Sequence, residues 1–444
     1  MIIKCPEYVQ KALNLLESKG CKAYAVGGCI RDSIMGITPN DWDMTTSSTP
    51  LETMEIFKEY RVIPTGLKHG TVTVIIDSNH LEITTMRIDG EYQDNRRPDN
   101  VTFTQDIEKD LSRRDFTVNA MAYNKTRGLI DPFGGAQDIK GKVIRCVGNP
   151  DTRFNEDALR IIRALRFASV LDFEIEKETA AAIIRNAPLL NNVANERIRI
   201  ELMKLLQGKG VERILTEFKE IIFTIIPELR ESDGFEQKTP FHLYDVWTHT
   251  VKVVAGVKNT PKLRIAALLH DIGKPQKFYS DENGIAHFKG HPQVSARMAY
   301  DIMKRLRFSN AETDTVFKII TLHDERPDGS KSKIARLCSK YSPEILRLTL
   351  ELMRGDATGK NPFYYESDIQ SYIVAEKQIN EIEQDHLCLC VSDLDIDGRD
   401  IRDLGFQGKQ IGEVLETLLS DVIDEKITNN KQDLLNSAKK IKNK

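Results

Sequence analysis

The chain is short of the features that would tie it to a membrane or an oxidising compartment. Among its 444 residues no apolar run is long enough to span a bilayer. The opening Met1-Ile2-Ile3-Lys4-Cys5-Pro6 lacks a signal-peptide core. Seven cysteines are scattered, odd in number and never spaced as Cys-x-x-Cys, so reduced thiols and a cytoplasmic location are expected. There is no internal repeat, and the one low-complexity tract, Lys439-Lys440-Ile441-Lys442-Asn443-Lys444, is expected to fray. A net charge of −3 shows no basic excess, but phosphate contacts depend on local clusters, so nucleic-acid binding stays open. With 40% hydrophobic and 29% charged residues the composition is that of an ordinary soluble protein. The length exceeds one core and implies two to four domains.

Against this plain background stands Val26-Gly27-Gly28-Cys29-Ile30-Arg31-Asp32, followed by Asp41-Trp42-Asp43. Alternate side chains of a strand share a face, so Asp41 and Asp43 project together. Beside a glycine turn with unobstructed N–H groups, they suit Mg²⁺ held against a nucleoside triphosphate. In a two-metal site such a pair serves both ions, one activating an attacking hydroxyl and one steadying the leaving pyrophosphate.

Residues 20–147 read as mixed α/β, with strands expected at Thr71–Ile76, Leu81–Thr85 and Val143–Val147. Arg87–Asp99 has little apolar anchor and is expected to be a mobile loop. From Asn149-Pro150 onward the periodicity is helical, and Asn155 is expected to cap a helix through Leu159, Ile162, Leu165 and Phe167. On that helix Asp157 and Arg160 are i,i+3 neighbours, and Glu156, Arg160 and Arg163 share a face. Breaks near Gly208-Gly210, Asp233-Gly234 and Asp328-Gly329 divide the helical part. In Arg113-Arg114-Asp115-Phe116-Thr117-Val118-Asn119, two cations, a carboxylate and an amide suit phosphate and ribose hydroxyls.

In order along the chain, Gly27-Gly28-x-x-Arg31-Asp32, Asp41-x-Asp43, Arg113-Arg114-Asp115-Phe116-Thr117, Asp131-Pro132-Phe133-Gly134-Gly135 and Glu156-Asp157-x-x-Arg160 resemble the class II tRNA nucleotidyltransferases. That family comprises CCA-adding enzymes and bacterial poly(A) polymerases. Asn195-Glu196-Arg197-Ile198-Arg199-Ile200-Glu201-Leu202 is a further family-like segment. The resemblance is close over residues 20–205 and looser beyond. It implies that Asp41 and Asp43 bind catalytic Mg²⁺, with Glu82 a third carboxylate on a neighbouring strand. Gly27, Gly28 and Arg31 would contact the triphosphate, with Asp32 nearby. Arg114 and Asp115 would contact the ribose, with Asn119 and Arg163 also in the nucleotide site. Asp157 and Arg160 would read the base.

That last role agrees with hydrogen-bond inventories. Cytosine and adenine both show an exocyclic amine beside a ring-nitrogen acceptor, matching an aspartate acceptor and an arginine donor. Uracil and guanine reverse the pattern, and unpaired buried groups reject a wrong partner by up to ~10⁴-fold. One side-chain pair thus accepts C and A without a nucleic-acid template. The family associates A addition with a flexible loop, here about Met86–Asp99, whose presence favours full CCA or A-only addition over CC-only addition. Thr65-Gly66-Leu67-Lys68-His69-Gly70-Thr71-Val72 resembles the CCA-adding version of its region, and the basic C-terminal arm of poly(A) polymerases is missing.

Six of the nine histidines fall between His242 and His323. An apolar helix ends in His270-Asp271, and imidazole with carboxylate suits Mn, Fe, Ni, Zn or Mg. His249, His270, Asp271 and Asp356 resemble the ligand set of HD-superfamily metal-dependent phosphohydrolases, and His291 and His323 would extend it to a second metal. The resemblance implies hydrolysis of phosphomonoesters or cyclic phosphates, or metal binding without turnover; His287 and His386 are read as ordinary core or surface residues. Asp393-Leu394-Asp395-Ile396-Asp397-Gly398 opens like a calcium loop, but Leu404 stands where a bidentate glutamate is needed. Gly405-Phe406-Gln407-Gly408-Lys409-Gln410-Ile411-Gly412 reads as a glycine-assisted helix start that meets an RNA phosphate.

The expected architecture is α+β: a nucleotidyltransferase head with a small mixed sheet (1–148), a helical neck (149–210), a helical body with the HD domain (211–360) and a helical tail (361–444). The expected reaction is attack of a tRNA 3′-hydroxyl on the α-phosphorus of CTP or ATP, releasing pyrophosphate. Partners are tRNA, CTP and ATP, with no membrane. The rival readings are an A-adding enzyme, a poly(A) polymerase, or an HD phosphohydrolase with a regulatory head.

Overall fold

A computed structural model describes residues 2–67, 70–90, 101–327 and 329–442. The chain divides into two compact units, Met1–Pro227 and Glu228–Lys444.

The first unit opens with α1 (Glu7–Ser18), β1 (Ala23–Val26), α2 (Gly28–Ile34), β2 (Asp43–Thr46) and α3 (Pro50–Ile56). There follow β3 (Arg61–Gly66), β4 (Thr71–Ile76), β5 (Asn79–Thr85), β6 (Arg87–Asp89), β7 (Val101–Phe103) and α4 (Ile107–Ser112). The head ends with β8 (Ala122–Asn124), β9 (Gly128–Ile130), α5 (Gly135–Gly141) and β10 (Val143–Ile144). Seven strands form one sheet in the order β3-β4-β5-β2-β1-β8-β9. β2 and β5 run parallel, and the other neighbours run antiparallel. Valine, isoleucine and threonine dominate these strands because branched side chains suit a pleated surface. All four residues of β1 are buried. On α1, Val9, Ala12, Leu13 and Leu16 recur at the helical period and form its buried face.

Beyond the sheet lie α6 (Pro150–Glu156), α7 (Leu159–Leu171), β11 (Glu174–Ile175), α8 (Lys177–Asn186), α9 (Asn195–Leu206), α10 (Val211–Glu217) and α11 (Lys219–Ile225). The single helix expected around Asn155 is in fact two. Asn149 caps α6 by accepting from Thr152 N–H at 3.1 Å, and Asn155 lies inside that helix, its amide donating to Asp151 O. The chain breaks at Asp157 (φ −139°, ψ 101°), whose side chain accepts from Leu159 N–H at 3.1 Å as α7 begins. Local side-chain bonds of this kind compete with helix continuity, and Asp157 ends α6 one residue before the Ala158 N-cap of α7.

The second unit is helical: α12 (Val246–Gly256), α13 (Pro261–Leu269), a short hairpin of β12 (Tyr279–Ser280) and β13 (Ala286–His287), α14 (His291–Arg305) and α15 (Asn310–Leu322). It continues with α16 (Lys331–Tyr341), α17 (Pro343–Thr358), α18 (Pro362–Gln384), α19 (Gly398–Asp403), α20 (Lys409–Ile423) and α21 (Lys431–Lys442). Helices α12, α13, α15 and α17 pack on one another. A separate cluster containing Ile401, Leu418, Leu434 and Ala438 holds α19, α20 and α21 together.

Other expectations change as well: the strand expected at Val143–Val147 ends at Ile144 and pairs with β11 outside the seven-stranded sheet. The lysine-rich end is not frayed up to Lys442, because Leu434 and Ala438 anchor α21 in that cluster; Asn443 and Lys444 lie outside the described residues. The expected loop begins as a strand, β6, paired with β7. Residues 91–99 of that loop, Lys68-His69 and Asp328 lie outside the described residues. The calcium-like carboxylates serve as caps and turns: Asp397 accepts from Arg399 and Asp400 N–H, Asp393 from Leu389 and Cys390 N–H, and Asp395 from Lys431 N–H.

Candidate active site and metal centre

In the head, strand register does the work. Asp43 is the Cα partner of Glu82 across the parallel β2–β5 pair and of Val26 across β1–β2. Asp41 and Asp43 are exposed on either side of buried Trp42, which is the alternation of an extended chain and puts both carboxylates on one face. Crowding by the protein, followed by the neighbouring charge of Glu82, raises the Asp43 carboxyl above its ordinary range, although it keeps solvent access. Glu82 and Asp41 add negative charge around Asp43, and Arg114 offsets part of it.

Directly after Val26 the chain turns at Gly27, whose φ of +82° disfavours any side chain. A Cβ there would come 3.0 Å from Arg114 Nη1. Arg31 on α2 bonds Asp32 (Nε to Oδ1, 2.9 Å) and Asn119 (Nη1 to Oδ1, 2.7 Å). Arg114 approaches the fully buried Asp110 at 3.7 Å, while its Nε is buried without a hydrogen-bond partner. Burial lowers the pKa of that guanidinium.

Asp115 is buried and takes two bonds from Arg163, at 2.8 and 2.6 Å. Burial opposes its ionisation, but Arg163 and then Arg160 outweigh that and hold it below the ordinary carboxylate range. Arg160 is buried and donates to Glu156 at 2.6 Å and to the carbonyls of Arg153 and Arg113. Asp157 accepts instead from Arg197 at 3.0 Å. The structure therefore places Asp157 and Arg160 three residues apart but gives each its own partner. Phe167, also buried, lies under the guanidinium groups of Arg31 (5.3 Å), Arg163 (5.4 Å) and Arg166 (3.6 Å), which gathers cations on the ring face. Asp110, Arg166 and Arg197 were not singled out from sequence; Asp110 precedes the arginine pair as an unremarkable acid, and burial alone marks it.

The second unit assembles a different centre. His249 comes from α12, His270 and Asp271 from the end of α13, His291 from the start of α14, His323 from the end of α15 and Asp356 from α17. Each histidine pairs Nδ1 with a backbone carbonyl: His249 with Gly359 (3.0 Å), His270 with Ala267 (2.8 Å), His291 with Phe288 (3.0 Å) and His323 with Ile320 (2.6 Å). A carbonyl only accepts, so Nδ1 carries a proton and Nε2 is the nitrogen turned inward, the arrangement of metal-ligating imidazoles. Gly359 permits the first of these contacts, because a Cβ there would lie 2.8 Å from His249 Nδ1.

Asp271 spans two groups. Its Oδ2 lies 3.4 Å from His249 Nε2 and 3.2 Å from His270 Nε2, and its Oδ1 lies 3.2 Å from His291 Nε2 and 3.5 Å from His323 Nε2. Asp356 Oδ1 completes the first group, 2.9 Å from His249 Nε2 and 3.7 Å from His270 Nε2. Ligands about 2.1 Å from one ion are about 3 to 3.5 Å apart, so these spacings fit a common centre. The two Nε2 atoms of His291 and His323 meet at 3.2 Å; two lone pairs so placed repel, and either a proton on one ring or a metal cation between them relieves it. Burial opposes charging His270, yet the two aspartates prevail and push it up to about 9. The same negative field attracts a divalent ion.

Lys274 Nζ holds Asp271 Oδ2 at 2.7 Å, and Lys360 pairs with Asp356. These lysines join Arg326, His242 and the aromatic Phe241 and Phe288 around a cavity of about 460 Å³. Burial, with Lys274 adding to it, lowers the His242 pKa to about 2. His287, read from sequence as ordinary, lines this cavity and bonds Asp281 at 2.9 Å. The histidine concentration was the only signal for His242 and His287, and nothing marked Lys360. Among the described residues, the groups of three or more ligand atoms within 4.8 Å of one another both lie here, not in the head.

These features are a mixed α/β head carrying a carboxylate pair beside a glycine turn, and a helical unit carrying a histidine–aspartate cluster. Family models agree: the poly A polymerase head domain matches residues 23–145, the probable RNA- and SrmB-binding site of polymerase A matches 172–231, and the HD domain matches 241–396. A CCA-adding enzyme of Streptococcus suis is 32% identical over 98% of both chains, and the chain belongs to the CCA-adding enzyme family. A CCA-adding enzyme of Enterococcus faecalis is 46% identical over 49% of this chain, and the match spans about half (53%) of that relative's length. The Bacillus stearothermophilus CCA-adding enzyme in complex with CTP aligns over 98% of this chain and 97% of its own, at 26% identity and a TM-score of 0.71. The Thermotoga maritima enzyme complexed with tRNA shares the fold at 20% identity and a TM-score of 0.55, over 98% and 95% of the two chains. No described helix is long and apolar enough to cross a membrane.

Proposed function

We propose that the chain adds C, C and A to the 3′ end of tRNA from CTP and ATP without a nucleic-acid template. One observation carries the reading: strand register sets Asp43 between Glu82 and the Val26-Gly27 turn, so carboxylates and a glycine turn face one place. Asp41 and Asp43, with Glu82, hold Mg²⁺, which when bound would favour the attacking 3′-hydroxylate and neutralise the departing pyrophosphate. Gly27, Gly28 and Arg31 cradle the triphosphate. Arg114, Asp115, Asn119 and Arg163 fix the ribose and phosphates, and Asp157 with Arg160 accepts the base. The residues bind and orient, and no side chain is required as a general base.

The corresponding division is a head at 1–148, a neck at 149–210, a body at 211–360 and a tail at 361–444. The test is extension of tRNAs ending in the discriminator base, C or CC, with CTP, ATP or both, followed by product sequencing. Products ending in CCA are expected. Addition of A alone, or of a long A tract, would refute the reading.

A second activity is favoured by the converging Nε2 atoms of the HD module. There the chain holds one or two divalent ions, and Lys274, Lys360 and Arg326 offer charge to a phosphoester in the cavity.

A further inference from the structure

We propose that Arg197 is a positioning residue that sets nucleotide discrimination by holding Asp157; the inference rests on the base-reading role of Asp157 and Arg160 given above. The two readers are anchored differently. Arg160 takes its counter-ion, Glu156, from four residues earlier in the same segment, at 2.6 Å. Asp157 takes its own from another helix forty residues on, where Arg197 Nη2 lies 3.0 Å from Oδ2.

The anchor is firmly based. Arg197 occupies the first turn of α9, and α9 docks on α7 through buried Ile198, Leu202 and Leu205, the Arg166–Glu201 ion pair at 2.9 Å and the Ser169 hydroxyl donating to Leu205 O at 2.7 Å. Asp157 itself sits in the break between α6 and α7, its N–H bonded to Arg153 O and its carbonyl to the Arg160 N–H, so its backbone is held and only its side chain depends on the partners it finds. Its Oδ1 takes the Leu159 N–H and its Oδ2 takes Arg197. Side-chain exposures of 17% for Asp157 and 27% for Arg197 shelter the pair enough to orient it more firmly than a fully solvated bridge.

A carboxylate has about four acceptor positions. Two are committed to the protein, and the others remain for an exocyclic amine. With Asp157 fixed, cytosine and adenine gain a bond, while the carbonyl of uracil or guanine meets a carboxylate oxygen. If Asp157 could swing away, C and A would lose the attraction and U and G would escape the repulsion. Discrimination would fall from both sides, an effect distinct from a general loss of activity.

The experiment measures kcat/KM for single-nucleotide extension of a tRNA ending in the discriminator base, with CTP or UTP. The variants are Arg197→Met, which keeps an apolar stem, Arg197→Lys, which keeps the charge, and Asp157→Ala. Arg197→Met is expected to raise the UTP-to-CTP ratio of kcat/KM by about tenfold or more, with Arg197→Lys rescuing part of the loss. A proportional fall with both nucleotides, leaving the ratio unchanged, overturns the proposal as a mere structural effect. If Arg197→Met does not fold, the Arg197→Lys ratio decides: a rise of about threefold supports the proposal and no change defeats it. An unchanged ratio in Asp157→Ala defeats the base-reading assignment itself. A changed ratio there with none at position 197 defeats the role of Arg197 alone.

Discussion

The carboxylates of the head lie exposed, Asp43 and Glu82 on neighbouring strands and Asp41 just before the first of them, whereas those of the helical unit are buried among four imidazoles. Both arrangements concentrate negative charge, yet they are built for different ligands. Asp41, Asp43 and Glu82, in the role proposed for them, would leave most of a coordination sphere to water and substrate, as suits Mg²⁺, which reaches proteins through one or two carboxylates plus substrate phosphates. His249, His270, Asp271 and Asp356, with His291 and His323 across Asp271, supply nitrogen and oxygen ligands from the protein itself. Backbone carbonyls orient these four imidazoles, and lysines brace both aspartates. Such outer bracing favours a retained ion. On the proposed reading the head centre would be completed by substrate phosphates, whereas the protein alone offers the ligand groups of the other.

The strongest way to break this contrast is to remove a head carboxylate. Asp41→Ala and Asp43→Ala should each lower tRNA extension on the order of 10³-fold or more, the several kcal/mol expected of a metal site. Elemental analysis of the same proteins should find the HD-module metal content unchanged. Normal extension would remove the head from the chemistry.

A second test concerns the shared ligand. Asp271→Ala should empty both groups of the HD module, costing more than the ~10–100-fold in metal affinity lost with an outer partner. His291→Ala should affect the second group alone. Metal analysis after gel filtration reads both, and tRNA extension should persist. Equal losses in the two variants would show that Asp271 does not bridge.

The smallest effect is on stability. The Asp43 carboxyl titrates above its ordinary value of 3.8 in the folded chain, so the unfolded chain ionises first as pH rises. The native state then binds more protons than the unfolded one, and stability falls with pH through that window. Metal-free Asp43→Asn should therefore show a small rise in thermal midpoint at neutral pH that disappears below the ordinary carboxylate range. A lower midpoint at neutral pH would mean that no strain is stored there.

Much of this was legible locally. Thr71–Ile76 reads as β4 because its residues favour a pleated surface, and the helix before His270-Asp271 follows from its apolar run. Glu82 was placed on a neighbouring strand, and the sheet sets it level with Asp43. The break at Asp157 was not legible, since Asn149, Asn155 and Asp157 are all good caps and only packing chose among them. Nor was the order in the lysine-rich tail, which depends on Leu434 and Ala438 finding α19 and α20.

The sequence by itself determined the kinds of group available at each centre: which side chains can carry charge, which can ligate a metal and which turn favours glycine. Those are properties of residue type and short spacing. Tertiary structure alone decided which groups meet. The pairing of Arg197 with Asp157, the cation gathering on Phe167 and the shared use of Asp271 all join residues far apart in the chain. Such contacts arise from how helices pack and strands register, and no local pattern encodes them.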